Sequence, residues 1–224
     1  MERAYRHLGF VLLFLLPIFL AGFWIPYFSQ IPHFEESITV GVHLHAALLF
    51  CFLILLIVQP LAIRFRAIST HRALGKLSNF LIPFALVFSA AMLWKEYHEH
   101  LTSGATIAAA RNAEFLSAAQ LVLFGTLYGM SIAAIRRHDV GTHMRYMICI
   151  ALVLLPAGLA RTLGYWFHMR QVSSQTICLA LIDSTLLSLI VIDTRRQSVA
   201  RPYTYVLLAY LVVEVVWVVL GRPV

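Results

Sequence analysis

Histidines are the residues of this sequence whose type and spacing most readily suggest chemistry. The chain has ten of them, and imidazole is both a common metal ligand and the side chain that titrates near neutral pH. Two pairs have a single residue between their members, His43 with His45 and His98 with His100. Residues two apart on a helix point about 200° away from each other, so at most one member of each pair can reach a shared ion. We predict a zinc or copper site whose candidate ligands are His43, His45 and His98, with His43 and His45 as alternatives to each other.

A second pair of histidines has equivalent surroundings. His71 and His143 each follow a threonine, and each stands at the start of an apolar run after a basic loop. Two imidazoles can ligate one heme iron while arginines pair with its propionates, so these positions predict heme b. The residues predicted to hold this cofactor are His43, His71, His143, Arg72, Arg145 and Arg161. The alternative is that Thr70 and Thr142 cap helices while the basic residues contact lipid phosphate.

Three ionisable residues are expected to be buried inside apolar runs: Arg161, Asp183 and Glu214. Counting along the chain places Arg161 and Asp183 at the same depth. An unpaired charge in hydrocarbon is costly, so we expect Arg161 to pair with Asp183, with a cofactor carboxylate, or with both. The alternative is a structural ion pair without chemistry. No partner for Glu214 is evident, and it is either protonated or part of a proton relay.

Composition indicates which elements must position these residues. The 224 residues are 61% hydrophobic and only 12% charged, with a mean hydropathy of +0.83. Soluble domains have about 25% charged residues, so a soluble enzyme, a secreted disulfide scaffold and a disordered chain are excluded. The net charge of +7 lies in short basic clusters between apolar runs. This pattern favours contact with a lipid bilayer and no binding of nucleic acid.

Seven apolar runs are long enough to cross about 30 Å of hydrocarbon as helices. We therefore predict an all-α polytopic integral membrane protein with one transmembrane domain over residues 1–224. The first run is longer than the apolar part of a signal peptide, so we interpret it as a retained helix. The predicted spans are residues 8–28, 39–61, 77–98, 114–135, 142–167, 176–194 and 202–220.

The distribution of basic residues predicts the orientation. Twelve of the 17 Lys and Arg residues lie before the first span, in the second, fourth and sixth connections or, for Arg145 alone, at the start of the fifth span. By the positive-inside rule the N-terminus is cytoplasmic and the C-terminus outside. His43, His45 and His98 are then on the outer side, where contact with headgroups and water is the alternative to metal binding. His71 and His143 are on the cytoplasmic side.

An internal repeat relates spans 2 and 3 to spans 4 and 5. At an offset of 72 residues, the segment 62–64 matches 134–136, and His71 matches His143. Copies that are two helices apart share one orientation. We therefore predict a central four-helix bundle around a pseudo-twofold axis, with spans 1, 6 and 7 outside it. The repeats cover about residues 43–98 and 115–170.

These motifs are similar to those of known families. The stretch from His43 to Lys76, H-x-H-A-A followed by a basic loop and T-H-R-x-x-G-K, together with the later T-H-M-R-Y-M, resembles an uncharacterised family of small bacterial polytopic membrane proteins. More distantly, it is similar to a family implicated in maturation of heme-copper respiratory oxidases. The resemblance covers about residues 39–150 and implies a redox or heme-related role in a bacterial inner membrane, while His45 and the seventh span have no clear counterpart. The positions that it marks as functional are His43, His71, Arg72, Gly75, His143 and Met147.

Three functions stay open at this point, and so does the question whether the protein is an enzyme. The leading hypothesis is a heme- or metal-associated membrane protein of redox or respiratory type, for electron transport or for assembly of an oxidase within a respiratory complex. The second is a membrane-embedded zinc hydrolase of lipids, although no H-E-x-x-H motif is present. The third is a proton-coupled carrier or a structural subunit, in which Arg161, Asp183 and Glu214 form a relay or a scaffold.

Overall fold

Long helices joined by short connections make up the chain. The computed structural model describes residues 5–35 and 38–220. A short 3-10 helix, Phe28–Gln30, follows the second α-helix. The α-helices within the described ranges are α1 (Leu8–Leu12), α2 (Leu15–Trp24), α3 (Val40–Arg64), α4 (Ile68–Thr102), α5 (Ile107–Arg136), α6 (Val140–Phe167), α7 (Gln171–Arg195) and α8 (Arg201–Val219).

Six of these helices, α3 to α8, are long and apolar enough to cross a membrane. The shortest, α8, has 19 residues, which at 1.5 Å per residue is about 28 Å and close to the thickness of the hydrocarbon core. The residues that the structure describes include no β-strand. The prediction of an all-α integral membrane protein is therefore confirmed, whereas the count of seven spans stays a prediction.

The first predicted span is not one continuous helix. Helix α1 ends at Leu12, and α2 begins at Leu15. Pro17 has no N–H to donate to the carbonyl of Leu13, and this carbonyl accepts from the N–H of Leu16 instead, at 3.1 Å. The tighter turn interrupts the α-helical hydrogen bonds. Hydropathy does not reveal such a break, because the residues on both sides of it are apolar.

The helices extend beyond the apolar runs that predict them. Helix α4 begins at Ile68 and not at residue 77, and its 35 residues measure about 52 Å. Helix α5 begins at Ile107, seven residues before its predicted start. Hydropathy marks the part of a helix that lies in hydrocarbon, and the backbone stays helical beyond it. His71 consequently lies in the first turn of α4.

The chain consists of two compact units, Met1–Trp94 and Lys95–Val224. In the first unit, α1 packs against α3. In the second unit, α6 packs against α5, α7 and α8, and α8 also packs against α5 and α7, so these four helices form a bundle. Its fully buried side chains include Ile150, Val153, Ile182, Leu186 and Val206. The single domain and the bundle of spans 2 to 5 stay predictions.

The connections from α3 to α4 and from α5 to α6 have the same backbone geometry. Arg66 and His138, which are 72 residues apart, have positive φ angles of 60° and 61°. In both connections the next amide donates to the carbonyl five residues before it, at 2.8 and 3.0 Å. This is the Schellman pattern of helix C-termini. The connection from α7 to α8 has the same Schellman pattern, at Gln197. The shared geometry of the first two connections therefore agrees with the predicted repeat but is not specific for it.

Candidate functional site

Two carboxyl groups are neighbours within α7 and α8. Asp183 lies 12 residues after the start of α7, and Glu214 lies 13 residues after the start of α8. The two side chains interact, and a hydrogen bond between two carboxyl groups requires a proton on one of them. Asp183 Oδ1 and Glu214 Oε1 are buried and have no hydrogen-bond partner among the described residues. Glu214, for which the sequence suggested no partner, is therefore a neighbour of Asp183.

Further unsatisfied polar groups lie along the same two helices. Tyr210 is one turn before Glu214 on the same face of α8 and is 1% exposed. Its hydroxyl has no hydrogen-bond partner and interacts electrostatically with both carboxyl groups. Ser174 Oγ and Gln175 Oε1, near the start of α7, are also buried without a partner. Buried polar groups are nearly always hydrogen-bonded, so this row of exceptions indicates a site for protons, water or a polar ligand.

A fully satisfied ion pair lies near the other end of α7. Arg145 Nε donates to Asp193 Oδ2 at 2.5 Å, and the two side chains are 1% and 0% exposed. Arg145 Nη1 also donates to the carbonyl of Gly141 at 3.0 Å. The pair joins the first turns of α6 to the last turn of α7. Arg145, predicted to hold a heme propionate, thus has a carboxylate partner within the protein.

Helix α6, which positions Arg145, begins at an acidic cap. Asp139 Oδ1 accepts from the backbone N–H of Thr142 at 2.9 Å. This hydrogen bond holds the pKa of Asp139 below its ordinary value. The expectation that Thr142 caps α6 is wrong, because the helix begins at Val140 and Asp139 precedes it.

The imidazole of His143 bonds to the neighbouring helix α5. Its Nδ1 lies 2.8 Å from the hydroxyl of Ser131 and 3.1 Å from the carbonyl of the same residue. Ser131 is fully buried. His143 therefore links α5 to α6 through one ring nitrogen.

In the first unit, His43 and His45 contact different elements. The hydroxyl of Tyr27 lies 2.7 Å from Nδ1 of His43, and the ring of Phe34 packs edge-on at 4.6 Å between centroids. His45 Nδ1 lies 3.3 Å from Ser89 Oγ on α4. The two imidazoles point away from each other, as their spacing predicted.

His71 contacts the end of α3. With its amide nitrogen turned toward His71, Gln59 donates to the carbonyl of His71 at 3.2 Å and to its Nδ1, while the amide oxygen accepts from Gly75 N–H at 2.9 Å. Arg72 is exposed. The T-H-R-x-x-G segment thus contributes to the contact between α3 and α4.

His98 and His100 end α4 in the second unit. His98 is exposed, and its ring lies 5.8 Å from that of Tyr97. His100 Nε2 lies 3.1 Å from Glu114 Oε1 on α5. His100, which was not among the predicted ligands, therefore contacts a carboxylate of the neighbouring helix.

Arg161 differs from the prediction that it is buried. The residue is exposed, and its Nη1 donates to the carbonyl of Ala157 one turn earlier, at 2.8 Å. Rotation about the helix axis turns this position of α6 outward. Pairing of Arg161 with Asp183 stays a prediction.

The predicted heme and metal sites combine residues of both units and stay predictions. His43, His45, His71 and Arg72 belong to the first unit, and His98, His143, Arg145 and Arg161 to the second. Within residues 5–35 and 38–220, no group of three or more His, Cys, Asp or Glu residues is arranged to hold a metal ion.

Comparison of the chain with models of protein families, with curated proteins and with solved structures found no match. The resemblance to small bacterial membrane proteins therefore stays a hypothesis. The fold defines the class, an α-helical integral membrane protein.

Two residues of the second unit were not predicted to matter. Asp193 lies inside the predicted sixth span, and its ionisable type was the signal that could have marked it. Tyr210 stands four residues before Glu214, a spacing that puts both on one helix face. The sequence could have identified each of these residues as a candidate, but it could not have identified their partners.

Proposed function

We propose that this protein is a proton-coupled integral membrane carrier whose proton-binding site is the pair of Asp183 and Glu214. The proximity of the two carboxyl groups carries the proposal. Two ionised carboxylates side by side within a membrane repel each other, so we expect the pair to hold one proton between them. Release of that proton, or uptake of a second, changes the charge of the site by one.

The unsatisfied oxygens favour a functional role over a structural one. A buried acceptor without a partner costs about 1–3 kcal/mol, and Asp183 and Glu214 each have one. A purely structural contact would be more stable with apolar residues of similar volume. Ionisable side chains inside membrane helices are characteristic of proton relays and substrate pathways.

A neighbouring hydroxyl supports exchange of the proton. The Tyr210 hydroxyl can both donate and accept, and it stands one turn from Glu214. A water molecule bound to this hydroxyl would connect it with the carboxyl pair.

Infrared spectroscopy of the purified full-length protein tests the shared proton. A protonated carboxyl has a C=O stretching band that is separate from those of carboxylates and shifts in D₂O. We expect this band at neutral pH in the wild type and its loss in Glu214→Gln and in Asp183→Asn. The matched control is Glu99→Gln, at a residue that forms only an exposed contact with Lys95. A band unchanged in both pair variants would contradict the proposal.

Proton movement is the second test. Proteoliposomes are loaded with a pH dye, and a potential of 100 mV is imposed across their membrane, which is worth about 2.3 kcal/mol per charge. The interior of the proteoliposomes should acidify when they contain the wild type. Glu214→Gln should abolish this signal while Glu99→Gln leaves it unchanged. If the variant and the wild type behave alike, the pair is structural.

A redox role is a second candidate, and one observation favours it. His43, His45 and His143 each bond to the protein through Nδ1. Metal-binding histidines have this arrangement, because the bond at one nitrogen orients the other toward the metal. A reduced-minus-oxidised absorption spectrum of protein from heme-replete cells tests it. A b-type α band lost in His143→Ala would support it, and a featureless spectrum would eliminate a stable heme.

A further inference from the structure

An open apolar groove lies between α5 and α8, on a different face of α8 from the carboxyl pair. Its volume is about 610 Å³, within the roughly 300–1,000 Å³ of small-molecule sites. Ala118 on α5 and Ala209 on α8 are small and leave the space between the helices, and Phe115 is the first lining residue of α5. Val122 and Leu208, which also line it, are 68% and 55% exposed.

A basic residue stands beyond the Phe115 end of this groove. Arg111 precedes Phe115 by four residues and Ala118 by seven, so all three share one face of α5. Arg111 is exposed and lies about 6 Å from Phe115 along the axis. The nearby carboxylate of Glu114 bonds to His100 on α4. The arrangement is an apolar channel with a cation at one end.

The length of the groove is close to that of one leaflet. Asn112 Nδ2 donates to the carbonyl of Leu220 at 2.7 Å, which fixes the register of α5 against the end of α8. From Phe115 to Leu123, the first and last lining residues of α5, the helix rises about 12 Å, compared with roughly 15 Å for half of the hydrocarbon core. Because Arg111 lies about 6 Å beyond Phe115, an acyl chain in the groove would have its headgroup near the level of Arg111.

We infer that the groove binds one acyl chain of a phospholipid whose anionic headgroup pairs with Arg111. Apolar lining, length and charge complementarity all agree with this ligand. The site is separate from Asp183 and Glu214, so it does not depend on the proposed proton chemistry. It gives the protein a preference for anionic over zwitterionic lipid at one position.

Photoreactive lipids test the site on the full-length protein in detergent micelles. Diazirine-labelled phosphatidylglycerol should cross-link to peptides of α5 and α8 in preference to labelled phosphatidylcholine. Arg111→Gln should lower that preference about fivefold, the effect of one charge at a membrane surface. Arg137→Gln, an exposed arginine at the opposite end of α5, is the control and should leave it unchanged. An unchanged preference in Arg111→Gln would overturn the assignment.

A second variant tests the groove itself. Ala118→Leu fills the channel, so cross-linking of both lipids to α5 should fall severalfold. Ala133→Leu, at an exposed position of α5 outside the lining, should not reduce it. Soluble glycerol phosphate, which has no acyl chain, should not compete. Competition by glycerol phosphate, full labelling of the Ala118 variant, or a groove covered by a second copy of the chain would each overturn the inference.

Discussion

Replacing Asp193 with asparagine should destabilise the protein strongly. The carboxylate lies 2.5 Å from Arg145 Nε, and both side chains are essentially excluded from solvent. Asparagine keeps the shape and one acceptor but removes the charge, which leaves a buried guanidinium without a counter-ion. Breaking such a pair from one side costs about 3–5 kcal/mol. Because Arg145 keeps its bond to the carbonyl of Gly141, we expect a value near the lower end.

Removing both charges should cost less than removing one. The double variant Arg145→Met with Asp193→Leu leaves no buried charge, and well-packed apolar replacements of ion pairs are often neutral. We expect its loss to be smaller than that of Asp193→Asn. The difference between the double variant and the sum of the single variants measures the coupling within the pair.

Unfolding in mixed micelles with increasing SDS, followed by tryptophan fluorescence, is the appropriate assay. Arg196→Gln provides the control, because Arg196 is exposed and its replacement should change the free energy of unfolding by less than about 0.5 kcal/mol. A cost below about 1 kcal/mol for Asp193→Asn would refute the reasoning that the pair is desolvated. If the free-energy costs of the two single variants add up to the cost of the double variant, the direct contact is refuted.

Three further predictions concern the helices. Asp139→Ala should lower stability by about 1 kcal/mol at neutral pH. Because the pKa of Asp139 is lowered in the folded state, its contribution is present above the unfolded pKa of about 3.9 and fades as the pH falls through the folded value, as SDS titrations at several pH values would show. Gly9→Ala should cost about 1–3 kcal/mol, since a Cβ there would lie 2.7 Å from the side chain of Leu61; an unchanged melting temperature would contradict it. Ser131→Ala should cost about 1 kcal/mol and leave Nδ1 of His143 with the carbonyl of residue 131 in place of the hydroxyl, visible as a shifted imidazole NMR signal.

The helical architecture was largely predictable from the sequence, because hydropathy reports directly which segments lie in hydrocarbon. Six spans correspond to α3–α8. The first span was not predictable as a broken helix, since the break depends on where the carbonyl of Leu13 finds a donor when Pro17 offers none. Helix ends were also displaced, as at Ile68, because a helix does not stop at the membrane surface.

The candidate site was predictable in type but not in pairing. Ionisable residues inside apolar runs marked Asp183 and Glu214, and their depths on consecutive helices are nearly equal. Depth alone also matched Arg161 to Asp183, but it does not report rotation about the helix axis. Rotation puts Arg161 on the exposed side of α6 and brings Glu214 to Asp183. Only the packing of α7 against α8 supplies that information.

The two polar contacts of the second unit have different chemistry because they differ in how completely they are satisfied. Arg145 and Asp193 compensate each other's charge and are almost fully buried, so neither group gains by exchanging a proton. In the proposed site Asp183 and Glu214 share one proton, and an acceptor on each has no partner among the described residues. Adding a proton to this pair supplies a donor that an unsatisfied oxygen lacks, and removing one leaves two like charges in contact. The energetic response to protonation is therefore concentrated at the carboxyl pair, and a proton-dependent movement of α7 against α8 would start there.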